Sequence, residues 1–130
     1  MSSETLGAQF ATALAAKDFD HVRALLHAEI DFRGMTPNRI WEAKDPDTVI
    51  TDILQQWFEP TDEILSLDAV DTGGVGERQR VGYRFSVRNP DGLFEVEQLA
   101  YLEERDGRIG WMRVICSGFQ PTGGDSPASS

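Results

Sequence analysis

Phe94-Glu95-Val96-Glu97-Gln98-Leu99-Ala100-Tyr101-Leu102, then a turn at Asp106-Gly107, then a run from Ile109 to Phe119, is the stretch that decides the fold. Both runs alternate with a period near two, as strands do. Asp106-Gly107 has the residue types of a two-residue type I′ hairpin loop. That loop sets Arg105 against Arg108, Tyr101 against Met112, Leu99 against Val114 and Glu97 against Cys116. The other side of the same hairpin pairs Leu102 with Trp111 and Gln98 with Ile115. Apolar groups on both sides mean that both faces are covered, one by helices and one by a partner subunit.

The preceding turn reads Asn89-Pro90-Asp91-Gly92. Proline second and glycine fourth suit a type I turn followed by a glycine bulge. With that bulge Phe85 faces Glu97, Tyr83 faces Leu99 and Val81 faces Tyr101. One face then collects Val81, Tyr83 and Phe85 with Glu97, Leu99 and Tyr101, continued by Met112, Val114 and Cys116. The other carries Arg84, Ser86, Arg88, Gln98 and Arg113. Without the bulge Arg84 would oppose Glu97 and the apolar set would divide, so hydrophobic consistency favours the bulge.

Working outward, Ile64 to Thr72 and Arg78 to Arg88 read as two further strands, with Gly73-Gly74 between them. Short loops between successive strands make the sheet antiparallel. Upstream the period lengthens. Leu6, Phe10, Ala13 and Leu14 predict a helix over about Glu4 to Ala16. Asp18 caps a second helix bearing Phe19, Val22, Leu25 and Leu26. Ala28 to Arg33 and Ile40 to Ala43 form a short hairpin. Asp45-Pro46 opens a third helix with Val49, Ile50, Ile53, Leu54, Trp57 and Phe58 on one wide stripe, and Pro60 ends it. The expected architecture is α+β, three N-terminal helices packed on a curved antiparallel sheet. It is one domain over residues 1–120, followed by a Gly, Ser, Pro and Thr tail over 121–130 that is expected to be disordered.

The chain of 130 residues has a formal charge of −10, which argues against nucleic acid and anionic membrane surfaces as partners. Its single cysteine, Cys116, allows no internal disulfide and suits a reducing compartment. With no signal-peptide pattern or membrane-length apolar run, a cytoplasmic location is expected. No Cys/His cluster offers a metal site. Gly73-Gly74-Val75-Gly76 joins two strands instead of opening a helix, so no phosphate cradle is expected. No cofactor is implied.

Three features together carry a resemblance: the helix pair ending Leu25-Leu26-His27, the third helix ending Gln56-Trp57-Phe58, and Asp106-Gly107-Arg108-Ile109 leading into the last strand. Over roughly residues 4–120 the chain resembles the nuclear transport factor two-like superfamily. This is the cystatin-like cone of SnoaL-like polyketide cyclases and ketosteroid isomerase. The resemblance implies a concave pocket between helices and sheet, and a homodimer, here through Trp111, Ile115 and Gln98. The superfamily's catalytic residues do not carry over. Leu99 stands where ketosteroid isomerase has its strand acid, Phe10 and Leu14 occupy the face of its helix tyrosine, and Met112 to Cys116 lacks the cyclases' late acid. The epoxide hydrolases' Asp-Arg-Asp relay is not recognisable.

In the register above, Glu97 is the sharpest chemical candidate. A carboxylate among apolar groups loses hydration and becomes suited to acid or base work. Tyr83 and Tyr101 are candidate donors to a bound carbonyl. The expected ligand wall consists of Phe10, Leu14, Trp41, Trp57 and Phe58 from the helical side, with Phe85, Leu99, Met112, Val114 and Cys116 from the sheet. The bland alternatives are core tyrosines, an inert buried thiol and an acid paired with an arginine. The resulting reading is a SnoaL-like protein holding a small apolar molecule. It acts either as a lyase, isomerase or cyclase on an apolar carbonyl compound, or as a non-catalytic ligand-binding or dimerisation module.

Overall fold

The computed structural model describes residues 5–122. Thr5 starts helix α1 (Leu6–Ala15), its hydroxyl accepting from the Ala8 amide at 3.1 Å. Asp18 does the same for α2 (Phe19–Leu25) through the His21 amide. Asp45 caps the third helix, α3 (46–57), by accepting from the Thr48 amide and hydroxyl, with Pro46 at its first position. The middle of α3, Val49–Leu54, is wound as a π-helix, so the helix is wider there than its sequence pattern suggests. Residues 49, 50, 53, 54, 57 and 58 are buried on α3, and that spacing is compatible with either winding.

The strands are β1 (Leu26–Thr36), β2 (Arg39–Ala43), β3 (Glu63–Val75), β4 (Arg78–Asn89), β5 (Gly92–Arg105), β6 (Arg108–Cys116) and β7 (Gln120–Pro121). They form one curved sheet in the order β2-β1-β6-β5-β4-β3, with β7 beside the start of β5. All pairs are antiparallel except β1 with β6, which run parallel. The sheet is therefore mixed where a wholly antiparallel one was expected. The N-terminal hairpin reaches its place through α3 and three later strands, a connection that loop lengths do not reveal. Pro121 belongs to β7 and the Thr122 amide donates to the Leu93 carbonyl; the rest of the expected tail, residues 123–130, lies outside the described residues.

The helices cover one face of the sheet. Phe10, Leu14, Val22, Ile50, Ile53 and Leu54 from the helices meet Ile30, Phe32, Val81, Phe85, Val96 and Met112 from the strands in one buried cluster. The opposite face bears no helix, and Ile115 and Met35 stand exposed on it. This two-sidedness means that the function of a strand residue depends on which face its register selects.

Candidate functional site

Two turns set that register. At Asp106-Gly107 both residues have positive φ, 55° and 80°, as the type I′ loop requires. The hairpin begins in the expected register, Arg105 against Arg108, but Gly110 is extra on β6. Beyond it Leu102 faces Met112, Ala100 faces Val114 and Gln98 faces Cys116. At the other turn no bulge forms. Asn89 pairs with Gly92 directly, and the ladder runs unbroken to put Arg84 opposite Glu97 and Tyr83 opposite Gln98. The expected bulge at Gly92 is thus corrected to one at Gly110. Both changes slide β5 by one residue, and β5 alone turns over.

The consequence is a change of residues inside the cone. Val96, Gln98, Ala100 and Leu102 point to the buried side, while Glu97 is exposed and Leu99 and Tyr101 are half-buried on the outer face. Physically, this removes Glu95, Glu97 and Glu103 from the core together, at the cost of burying one carboxamide. That run of glutamates on one side of β5 was the available signal. Tyr83, Phe85, Met112, Val114 and Cys116 do line the buried side as expected, and so do Phe10, Leu14, Trp57 and Phe58. Trp41 stands half-buried at the edge.

Tyr83, Gln98 and Cys116 occupy one rung across three neighbouring strands. The Tyr83 hydroxyl donates to Gln98 Oε1 at 2.6 Å in a fully buried setting. Burial, and secondarily the Cys116 sulfur, holds the Tyr83 phenol well above its ordinary pKa, so it stays protonated. Gln98 is 1% exposed, and its Nε2 has no hydrogen-bond partner. Cys116 Sγ accepts from the Gly118 amide at 3.4 Å. On the helical wall, Trp57 packs against Phe32 and edge-on against Trp41, and its buried Nε1 likewise has no partner. A Cβ at Gly34 would come within 2.6 Å of that indole, so glycine is what lets Trp57 lie on the sheet. Phe58, Phe119 and Phe94 form a chain of ring contacts along one edge of the cone.

This interior is neutral. Apart from Gln98, the buried polar or charged residue among the described residues is Asp62. Asp62 serves the corner after α3, accepting from the Glu59 amide and from Asn89 Nδ2. A carboxamide does not titrate and the buried phenol stays protonated, so Tyr83 and Gln98 offer neutral hydrogen-bonding groups and no carboxylate. On the outer face, Arg80, Gly82, Arg84, Glu97, Leu99 and Ile115 line an open groove of about 440 Å³. There Arg84 Nε lies 3.1 Å from Glu95 Oε2, close enough for an ion pair but misaligned for a hydrogen bond. Among the described residues no group of His, Cys, Asp and Glu is arranged to hold a metal ion.

No family model matches the sequence, and no curated protein matches it. Solved structures do match in shape. A protein with a ketosteroid isomerase-like fold from Catenulispora acidiphila, in complex with trimethylamine, superposes with a TM-score of 0.70 at 11% identity, covering 89% of this chain and 88% of that one. An NTF2-like protein from Burkholderia thailandensis gives 0.64 at 16% identity over 86% and 88% of the two chains. An LEH-like epoxide hydrolase from M. tuberculosis gives 0.64 at 17% identity over 86% and 80%. The chain has the NTF2-like cone fold. Identities this low carry the fold alone, and the fold hosts many activities.

Proposed function

We propose that the protein is a non-catalytic binding cone that holds a small, mainly apolar molecule between its helices and the buried sheet face. The observation that carries this reading is the rung Tyr83, Gln98 and Cys116, which gives the interior neutral polar groups in place of an acid. A lyase, isomerase or cyclase using Glu97 needs that carboxylate within hydrogen-bond reach of the substrate, and Glu97 lies on the other side of the sheet. On this reading the ligand enters past Trp41, Phe94 and Phe119, which are only partly buried against the core and whose displacement would make room in the packed interior.

Thermal shift against a panel of small apolar compounds tests this. A ligand at a hundred times its Kd contributes about 2.7 kcal/mol. For a domain of this size that raises Tm by roughly 10 °C. The expected result is such a shift, unchanged in Glu97→Gln. A hit that the protein turns over, with turnover lost in Glu97→Gln, would overturn the non-catalytic reading.

The same reading includes a homodimer across the outer sheet face, supported by the exposed side chain of Ile115 and by the mixed charges around it. Gln98, expected at that interface, instead faces the cone. The charge of −10 and the lone thiol support a cytoplasmic protein that binds neither nucleic acid nor anionic membrane. No helix among the described residues is long and apolar enough to cross a membrane.

A further inference from the structure

We infer that Tyr83 and Gln98 form a recognition site for one neutral hydrogen-bond acceptor, a ketone, lactone or amide carbonyl, carried by the otherwise apolar ligand. This rests on the binding-cone reading and adds the polar half of the ligand to it.

A phenol has one hydrogen to donate and a carboxamide two. Tyr83 and Gln98 share one hydrogen bond, and Gln98 Nε2 is left without an acceptor. Exchanging the amide's oxygen and nitrogen would leave the amide oxygen unpartnered but would still free a donor hydrogen. The nitrogen would then donate to the phenol oxygen, and the phenol hydrogen would be left over. In either orientation at least one donor hydrogen of the pair is left without a partner. An unmet buried donor costs about 1–3 kcal/mol, and a methionine or leucine would fill the same volume without that cost. The neighbours of Gln98 on the buried face are Tyr83 and Cys116 on its rung, Val96 and Ala100 along its strand and Phe85 beside them; the Cys116 sulfur, a weak acceptor, takes the Gly118 amide hydrogen, and Nε2 bonds to none of them. Trp57 Nε1 is a second unmet donor, on the helical wall.

The same interior selects against charge. The buried residues among those described include no lysine or arginine. A carboxylate ligand would lose its hydration with no cation to meet it. An ammonium would meet donors and no carboxylate. A neutral acceptor is the class that satisfies the site.

The experiment uses the full chain and three compounds of one bicyclic skeleton, the ketone, the parent hydrocarbon and the carboxylate, with affinities from tryptophan fluorescence titration. The ketone is expected to bind at least tenfold tighter than the hydrocarbon, and the carboxylate weaker than both. In Gln98→Met the ketone should fall to the level of the hydrocarbon. If ketone and hydrocarbon bind wild type equally, or if Gln98→Met keeps the ketone preference, the inference is overturned while the apolar cone stands. If none of the three binds, both fail. Should Gln98→Met not fold, the carbonyl stretch of ketone bound to wild type decides. A frequency lowered from its value in alkane is expected, and an unshifted one would overturn the site.

Discussion

Tyr83 gives its hydroxyl hydrogen to Gln98 where water has no access to replace a lost partner. Removing the hydroxyl alone strands the amide oxygen as well as its nitrogen. Tyr83→Phe should therefore destabilise the fold by about 1–3 kcal/mol in urea unfolding. Adding Gln98→Leu removes the stranded group, so the double variant should lose less than the sum of the singles. The Tyr83 phenol also links stability to alkaline pH. Its folded pKa is raised by burial first and by Cys116 second, against about 10 in the unfolded chain. The stability it contributes is complete below pH of about 10 and is lost as pH rises toward the folded value. In a Tyr101→Phe background, phenolate absorbance should rise only as the protein unfolds; a rise with the fold intact would refute the buried placement. In the sequence, Tyr83 was legible as an inward residue because β4 alternates cleanly. Gln98 was not, since the expected bulge at Gly92 and an unbroken β5–β6 register carried it to the outer face.

At the level of elements, local chemistry was readable and its propagation was not. Asp18, Asp45-Pro46 and Asp106-Gly107 act through their own backbone neighbours, and each does what its residue types suggest. The bulge is different. Both glycines near the turns could host it, and choosing Gly110 over Gly92 depends on which β5 face the whole core prefers. The π-winding of α3 is hidden for a related reason, because its apolar stripe fits both helix types. The inside-out reading of β5 has a direct test in two leucines three residues apart. Leu102 is fully buried on the cone side and Leu99 half-buried on the outer side. Leu102→Ala should cost about 2–5 kcal/mol, the range for a buried leucine, and Leu99→Ala about 1 kcal/mol or less. Equal costs, or the reverse order, would restore the register with Glu97 inside.

For the molecule as a whole, the helices cover one sheet face and leave the other without a helix. On that outer face Ile115 is 53% exposed and Met35 49%. Around them Arg113 and Arg78 flank the Trp111 ring, with Cζ atoms 4.5 and 4.3 Å from its centroid, so part of this surface is already masked by the chain's own cations. Arg80 and Arg84 share the groove with Asp71 and Glu97. In an isologous contact residue i of one chain meets residue j of the other and the reverse, so a face carrying both signs can pair them across a two-fold axis. Sedimentation equilibrium of the full chain should report a dimer, and Ile115→Glu should weaken it at least tenfold by placing like charges across the axis. A wild-type monomer at micromolar concentration would refute the interface. The proposed dimer would also bear on the cone, because Ile115 and Cys116 are adjacent on β6 and point to opposite faces. Clamping Ile115 against a partner would stiffen the strand that pairs with Gln98, so the Ile115→Glu monomer should bind the ketone more weakly even though no cone residue has changed. An unaltered affinity in that monomer would mean that one chain holds its own site rigid, and that the outer face serves assembly alone.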